Sequence, residues 1–338
     1  MNPRDTGISY TALREAPTPH VAQFIGVTVS LCPFFLSVRM MRMLVVIIIS
    51  TICAGADASS YLGAVVEHAV QGSADASLEA VLNENLDIYE SLIARAADYG
   101  AQVIVFPEFG LAPVDDSNRT ALAFVAESVP SPEEAVQMRQ PYSKTLQPIL
   151  ARLSAAAKKH ALPVLVNMVD SVPCSSGSDC ADDGVYLYNT NVLLDATGAL
   201  VARYHKSNEW PGLMPPYDQV AEGEYATWTA PFGVQFGIFT CFDILWHSPA
   251  VDYVDAGISH FLYPVQQGQI GEDTVISHWS KKYSATVLSS NLATDRRHDC
   301  SDVMVDGEKL AQEAKLYAVS PAKDGHGTSN VVISRVPM

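Results

Sequence analysis

Basic residues are scarce in this 338-residue chain, which contains 21 Lys and Arg against 37 Asp and Glu and carries a formal net charge of -16 at pH 7. Nucleic acids and anionic membrane surfaces bind proteins through clustered Lys and Arg. No such cluster is present in the sequence. The charge balance therefore argues against nucleic acid and membrane surfaces as partners, and it is compatible with a small neutral ligand.

Internal repeats, low-complexity tracts and long linkers are also absent between Tyr61 and Asn291. The chain is predicted to be folded, because 48% of its residues are hydrophobic and can form a large core. The simplest reading is one globular domain over residues 59–338, preceded by a leader over residues 1–58.

A short apolar run lies near the N-terminus, after a longer and less strongly apolar segment at Val21–Val38. Met43–Cys53 follows a basic residue and precedes small residues at 54–58, a pattern typical of a signal peptide. The run falls short of the roughly 20 residues that a membrane-spanning helix needs. We therefore expect a secreted protein whose mature chain begins near Asp57 or Ser59 and has no membrane span. Translation is then expected to start at Met40, Met41 or Met43.

The cysteines agree with export. Cys174 and Cys180 flank a Ser-Ser-Gly-Ser-Asp loop, and this spacing can close a small disulfide loop in an oxidising compartment. A glycosylation sequon begins at Asn118 in a polar stretch, which predicts a glycan on a surface loop. Outside the leader, Cys241 and Cys300 are left unpaired. An unpaired cysteine in a secreted protein requires a reason, and the sequence offers none for Cys300.

Three polar residues stand directly after apolar runs that have the length of buried strands. The runs Gln102–Phe106, Leu200–Tyr204 and Val234–Thr240 lead towards Glu108, Lys206 and Cys241. A strand that delivers a thiol into a turn before a helix can present a nucleophile. A carboxylate and a cation at other strand ends are then a candidate general base and a candidate oxyanion partner. Taken singly, each has an ordinary alternative as a core thiol, a solvated Glu or a solvated Lys.

Helical and strand-like segments alternate after the leader, which favours an α/β architecture. Helices are predicted over residues 78–99, 146–160 and 273–284, with another starting near Ser248. Strands are predicted over residues 62–66, 102–106, 164–169, 187–195, 200–204, 234–240, 258–263 and 286–290. After Asn291, only Asn330–Ser334 is predicted to form a strand.

Short motifs around the three polar residues carry a family resemblance. Val105-Phe-Pro-Glu108, Tyr204-His-Lys206 and Thr240-Cys-Phe-Asp-Ile244 resemble, in that order, the Glu-Lys-Cys triad motifs of the nitrilase (carbon-nitrogen hydrolase) superfamily. Within it, the vanin (pantetheinase) and biotinidase branch is similar over Tyr61–His68, Tyr188–Val192, Arg203–Lys206 and Gly237–Val251. The resemblance extends from about Tyr61 to Asn291.

The resemblance implies an α-β-β-α sandwich of the nitrilase type, with two mixed sheets packed face to face and helices outside. It implies Cys241 as nucleophile, Glu108 as general base, and Lys206 with the backbone N–H of Phe242 as oxyanion partners. A thiolate beside Lys206 is expected to have a lowered pKa. The Cys174–Cys180 pair also has a counterpart in vanins.

The function implied is that of a secreted amidohydrolase that cleaves a linear amide through a thioester, above all pantetheine to pantothenate and cysteamine. A small-molecule amide is then the partner, and no metal or organic cofactor is required. Biotin-amide hydrolysis or acyl transfer by the same triad are alternatives, and a catalytically inactive secreted binding protein is a third. The histidines offer no clustered metal-ligand set and are scattered at His205, His247, His260 and His278.

Three departures from the family are visible. The chain after Asn291 diverges and the family's further C-terminal domain has no counterpart, so we expect a divergent or truncated member without a lipid-anchor signal. Tyr263–Gln267 replaces a family segment, which predicts a different substrate pocket. Many nitrilases place an additional glutamate between the lysine and the cysteine, and the sequence leaves Glu222 and Glu224 as unaligned candidates.

Overall fold

The computed structural model describes most of the chain after the leader. The described residues are 59–73, 75–111, 118–138, 142–175, 180–210, 217–220, 223–266, 272–293, 301–318 and 329–338, without the side chains of 272–274. The predicted leader, Glu222, Gln267 and Cys300 lie outside these residues.

Strands make up the centre of the fold. Within the described residues they are β1 (Ser60–His68), β2 (Val103–Val105), β3 (Val164–Pro173), β4 (Val185–Leu194), β5 (Leu200–His205), β6 (Ala226–Thr229), β7 (Gln235–Ile238), β8 (His260–Val265), β9 (Thr286–Leu292), β10 (Asp302–Val305), β11 (Glu308–Lys309), β12 (Gln312–Tyr317) and β13 (Asn330–Pro337). The helices are α1 (Leu78–Tyr99), α2 (Arg119–Val125), α3 (Pro132–Met138), α4 (Pro148–His160), α5 (Asp252–Asp255) and α6 (Glu272–Tyr283).

The strands form two mixed layers joined at one place. One layer has the order β5-β4-β3-β2-β1-β13-β12, and the other has the order β11-β10-β9-β8-β7-β6. They are linked where Glu67 and His68 at the end of β1 pair with Asn291 and Leu292 of β9. The expected α/β sandwich is confirmed, and the link makes its two sheets one continuous hydrogen-bonded network.

The two faces of the first layer contribute to different cores. On β2, Val103 and Val105 pack with residues of the second layer such as Phe261, while Ile104 packs with residues of α1 and α4 such as Leu92. Because successive strand residues point to opposite faces, a strand buried on both faces has a continuous apolar sequence. The polar residue that follows each such apolar run therefore lies where the strand leaves the core.

Helix α1 has the bounds that its periodicity predicts. The Ser77 hydroxyl accepts a hydrogen bond from the Ala80 N–H at 3.2 Å at its start, and Gly100 ends it in the left-handed region at φ 100°. Helix α6 also agrees closely with its predicted range. None of the described helices is long and apolar enough to cross a membrane.

The helix expected near Ser248 is present as a π-helical turn over His247–Val251 that continues into the four-residue α5, although Ser248 itself is not helical. A 3₁₀ turn at Cys241–Leu245 precedes it. Strands β10, β11 and β12 were not predicted; β12 is largely exposed and has little apolar sequence. Asp306 and Gly307, both at positive φ, join β10 and β11 in a two-residue hairpin turn.

Candidate active site

Glu108 lies just past the end of β2 and is fully buried. Its Oε1 accepts hydrogen bonds from Lys206 Nζ at 2.8 Å and from Asn189 Nδ2 at 2.8 Å. Its Oε2 accepts a bond from the backbone N–H of Gln266 at 3.1 Å. The next residue, Phe109, adopts φ 57°, which turns the chain away from the strand. Three donors from three different segments therefore fix this carboxylate in the interior.

Lys206 follows β5 and is 4% exposed. Its ammonium group contacts Glu108 Oε1 at 2.8 Å and Glu209 Oε2 at 3.2 Å. Burial lowers the pKa of this lysine, but the carboxylates of Glu108 and Glu209 outweigh burial and hold the pKa well above its ordinary value. Lys206 is therefore a fixed positive charge at neutral pH.

Cys241 lies at the junction of the β7 segment and the 3₁₀ turn. Its backbone adopts φ 46°, in the left-handed region that L-residues rarely occupy. Its carbonyl oxygen accepts a hydrogen bond from the Tyr263 hydroxyl at 2.7 Å, and its Sγ lies 3.6 Å from the Gln266 carbonyl oxygen. The predicted strand, turn and helix arrangement at the thiol is thus present in a tight 3₁₀ form.

The turn that carries Cys241 is anchored by Asp243. This buried carboxylate accepts bonds from the Thr240 N–H at 2.9 Å, the Tyr204 hydroxyl at 2.7 Å and the Asn208 N–H at 2.8 Å. Burial raises the pKa of Asp243, and Lys206 works in the opposite direction. Asp243 therefore ties the cysteine turn to the segment that follows Lys206.

The expected lowering of the thiol pKa is wrong for the protein without a bound ligand. Desolvation, followed by the nearby Glu108 carboxylate, raises the pKa of Cys241 well above its ordinary value, and Lys206 only partly offsets them. Glu108 therefore raises the pKa of the thiol both by its charge and as a hydrogen-bond acceptor. Cys241 therefore stands as a neutral thiol next to a carboxylate that can accept its proton.

A second glutamate at the site was missed by the sequence analysis. Glu209 is buried, contacts Lys206, and has its pKa raised to about 7, first by burial and then by Glu108, against the effect of Lys206. Of the two proposed additional glutamates, Glu224 lies elsewhere and bonds to His205 Nδ1 at 2.9 Å. The only sequence signal for Glu209 was its position three residues after the lysine.

Three aromatic side chains form a cluster that begins at the residue after Cys241, and we call them the aromatic rim: Trp210, Phe242 and Trp246. The Phe242 ring contacts the Trp210 ring at 4.7 Å and the Trp246 ring at 5.9 Å between centroids. Trp210 and Trp246 are 39% and 49% exposed, so the rim is open to solvent. Because Phe242 follows Cys241 directly, the rim lies next to the thiol-bearing residue in the chain.

Two features predicted from the sequence lie away from these residues. Cys174 and Cys180 form a disulfide bond. Asn118 is exposed and caps α2, where its Oδ1 accepts a bond from the Ala121 N–H at 3.0 Å. The surface location expected for a glycosylated asparagine is therefore present, and glycosylation itself stays a prediction.

A single cluster of potential metal ligands occurs among the described residues. His247, Asp252 and Asp255 place one ligand atom each within 4.8 Å of one another. His247 and Asp255 have side chains that are 69% and 67% exposed. Such exposed acidic groups commonly occur without an ion, and none of the three contacts the buried Glu108, Lys206 and Cys241 group.

The carbon-nitrogen hydrolase family model matches residues 69–286, and the chain belongs to this family. Biotinidase of Takifugu rubripes is 37% identical over 259 residues, which are 70% of this chain and 50% of that protein. Pantetheinase of Mus musculus is 38% identical over 252 residues, which are 70% of this chain and 49% of that protein. The chain thus spans about half the length of these curated relatives.

A solved structure supports the fold independently of close sequence similarity. The crystal structure of an amidase from Nesterenkonia sp. is similar with a TM-score of 0.56 at 17% identity. The match covers 83% of this chain and 91% of that chain. At this level of identity the likeness shows the nitrilase-type fold alone.

Proposed function

We propose that this chain is a secreted amidohydrolase that cleaves pantetheine to pantothenate and cysteamine. The observation that carries the proposal is the meeting of three strand ends at one buried point. There, Lys206 Nζ contacts Glu108 Oε1 at 2.8 Å, and the same carboxylate lies close enough to Cys241 to raise the pKa of its thiol. Membership of the carbon-nitrogen hydrolase family and the pantetheinase relatives support the substrate class.

The arrangement supports a defined first step. Both lone pairs of Glu108 Oε1 are engaged by Lys206 and Asn189, whereas the Gln266 N–H is the one nitrogen donor to Oε2 among the described residues, which leaves Oε2 a lone pair for the thiol. Oε2 is therefore the atom that takes the proton of Cys241. The thiolate then attacks the amide carbonyl carbon and a tetrahedral intermediate forms.

Charge on the carbonyl oxygen is stabilised by Lys206 and by the backbone N–H of Phe242, and each such donor contributes about 3 to 4 kcal/mol in comparable sites. Protonated Glu108 donates its proton to the departing amine, which leaves as cysteamine, and Cys241 remains as a thioester. Glu108 next takes a proton from water as the water attacks the thioester. Pantothenate is released and the neutral thiol is restored.

Secretion is part of the proposal. The Cys174–Cys180 disulfide bond supports an oxidising compartment, and the relatives named above support an extracellular or membrane-anchored setting. We propose 59–338 as a catalytic domain that follows a leader over 1–58. N-terminal sequencing of protein exported from eukaryotic cells is expected to begin near Asp57 or Ser59, and retention of Met1 would contradict export through this leader.

The nearest alternative is hydrolysis of a biotin amide, since biotinidase of Takifugu rubripes is as similar to this chain as mouse pantetheinase is. Acyl transfer would use the same thioester with an amine in place of water. A non-catalytic binding protein would have no need for a buried lysine between two glutamates beside a thiol. The contacts of Lys206 therefore favour an enzyme.

Parallel assays distinguish these functions. The purified chain is incubated with pantetheine and with biocytin, and pantothenate and biotin are quantified by mass spectrometry, with Cys241→Ala as the control. We expect pantothenate release that Cys241→Ala abolishes while its melting temperature stays near that of the wild type. Preference for biocytin would support the biotinidase-like alternative. Turnover by Cys241→Ala would refute the mechanism, and lack of turnover of both substrates would refute both hydrolase activities.

A further inference from the structure

A chain of buried polar side chains connects the Glu108 loop with the strand end that carries Cys241. We call Asn189, Asn167 and Asn191, which lie on β4, β3 and β4, the amide relay. Asn189 Nδ2 donates to Glu108 Oε1 at 2.8 Å, and at the other end Asn191 Nδ2 donates to Thr240 Oγ1 at 2.7 Å. All three asparagines are 1% or 2% exposed. The relay thus runs through the interior between the general base and the residue before the nucleophile.

Asn167 fixes the orientation of the other two amides. Its Nδ2 donates to Asn189 Oδ1 at 2.7 Å and to Asn191 Oδ1 at 2.9 Å. Its Oδ1 accepts the Phe109 N–H at 3.1 Å, and a backbone N–H can only donate. Since the oxygens of both neighbours face Asn167, their amide nitrogens must face Glu108 and Thr240.

This orientation determines which oxygen of Glu108 is open to the thiol. Asn189 and Lys206 together occupy Oε1, and Gln266 takes one lone pair of Oε2. If Asn189 were rotated by half a turn, its Oδ1 would meet Glu108 Oε1, and two acceptors would face each other in a buried site. The carboxylate would then lose a donor and shift. Such a shift matters because misplacement of reacting groups by about 1 Å can reduce a rate roughly a hundredfold.

We propose that Asn167, Asn189 and Asn191 are positioning residues for proton transfer from Cys241 to Glu108. This proposal rests on the triad role in the proposed function. Asn189 holds the acceptor carboxylate, Asn191 holds the strand end next to the donor thiol, and Asn167 sets the direction of both amides. The other charged or titratable groups that face this point are Lys206, Glu209 and Asp243.

The test uses Asn167→Asp, an isosteric change at a residue without a hydrogen bond to Glu108 or Cys241. Ionised aspartate offers only acceptors to its neighbours, so Asn189 rotates to donate to it and presents its oxygen to Glu108. The matched control is Asn330→Asp. Asn330 is equally buried and donates to the Glu67 carboxylate at 3.3 Å, on β13 and β1. Both changes therefore replace one buried amide that donates a hydrogen bond by a buried carboxyl group.

Two readouts are compared. The first is the rate at which iodoacetamide alkylates Cys241, measured by mass spectrometry without any substrate, and the second is kcat and KM for amide hydrolysis. For Asn167→Asp we expect alkylation and kcat to fall roughly tenfold to a hundredfold. KM is expected to change by less than about twofold, because Asn167 is buried and its side chain bonds to the other two asparagines and to the Phe109 N–H. Asn330→Asp is expected to keep wild-type alkylation even if its melting temperature falls.

Asn189→Ala provides the second variant, because it deletes the donor to Glu108 without adding charge. The double variant with Asn167→Asp is expected to be no slower than the worse single variant, since both act on one carboxylate. Wild-type alkylation rates in folded Asn167→Asp and Asn189→Ala would overturn the proposal. The alkylation readout remains decisive even if pantetheine is not the substrate, so failure of the relay and failure of the proposed function are distinguishable.

Discussion

Replacement of Glu209 by Gln is expected to change how the stability of the protein depends on pH. Glu209 is buried beside Lys206, and burial, followed by the influence of Glu108, raises its pKa to about 7 although Lys206 lowers it. In the unfolded chain the same carboxyl titrates near 4.5. Folding is therefore linked to proton binding at this residue between these two values.

The sign follows from which state holds the proton more tightly. Between pH 4.5 and pH 7 the folded chain keeps Glu209 protonated while the unfolded chain has released the proton. The stabilisation from this group is fully present below pH 4.5 and is lost as the pH rises through 7. At roughly 1.4 kcal/mol per pKa unit, the loss is about 3 kcal/mol. Glutamine does not titrate, so Glu209→Gln lacks this loss.

The measurement is urea unfolding followed by tryptophan fluorescence at pH 5 and pH 8, with the disulfide bond kept oxidised. We compare the free energy of unfolding of Glu209→Gln with that of the wild type. The value for the variant minus the value for the wild type is expected to become more positive by about 3 kcal/mol when the pH is raised from 5 to 8. Glu84→Gln, at an exposed position of α1, is the control and is expected to show no such change. A difference that is the same at pH 5 and pH 8 would refute a raised pKa at Glu209.

Three further outcomes are expected. Lys206→Met lowers kcat by about a hundredfold with little change in KM, because the charge acts mainly in the transition state; normal turnover by the folded variant would contradict this. Trp210→Ala lowers kcat/KM for pantetheine by about tenfold through lost apolar contact, and an equal loss for acetamide would argue against a rim contact. Glu127→Ala lowers the free energy of unfolding by about 1 to 2 kcal/mol in thermal melts, since Glu127 accepts the Ile149 and Leu150 N–H groups at the start of α4 at 2.5 and 3.1 Å.

The three residues proposed as the triad could be located from the sequence because they follow apolar strands. Strands buried on both faces have continuous apolar sequences, so the residue at which the apolar run stops marks the end of the strand. Glu209 could not be found in this way, since its contact with Lys206 depends on the path of a loop. The direction of the Cys241 pKa was also unpredictable, because it depends on desolvation and on Glu108 as well as on the adjacent lysine.

The missed strands have a different physical explanation. Strand β12 lies at the edge of its layer and is half exposed, so its apolar alternation is weak and within the strand consists of Ala314 and Leu316 alone. The Asp306-Gly307 dipeptide was the available signal, because both residues take the positive φ that a two-residue hairpin requires. Local turn chemistry was therefore more informative here than hydrophobic pattern.

The alternation of side chains along β5 explains why Glu224 is not part of the site. Tyr204 and Lys206 lie two residues apart and reach the interior, where they contact Asp243 and Glu108. His205 between them points to the opposite face, where Glu224 and Asp170 contact its ring at 2.9 and 2.8 Å. Burial lowers the pKa of His205, but these two carboxylates outweigh burial and raise it. A glutamate that pairs with His205 is on the wrong side of the strand for Lys206, so the second carboxylate at the lysine must come from the loop beyond the strand, as Glu209 does.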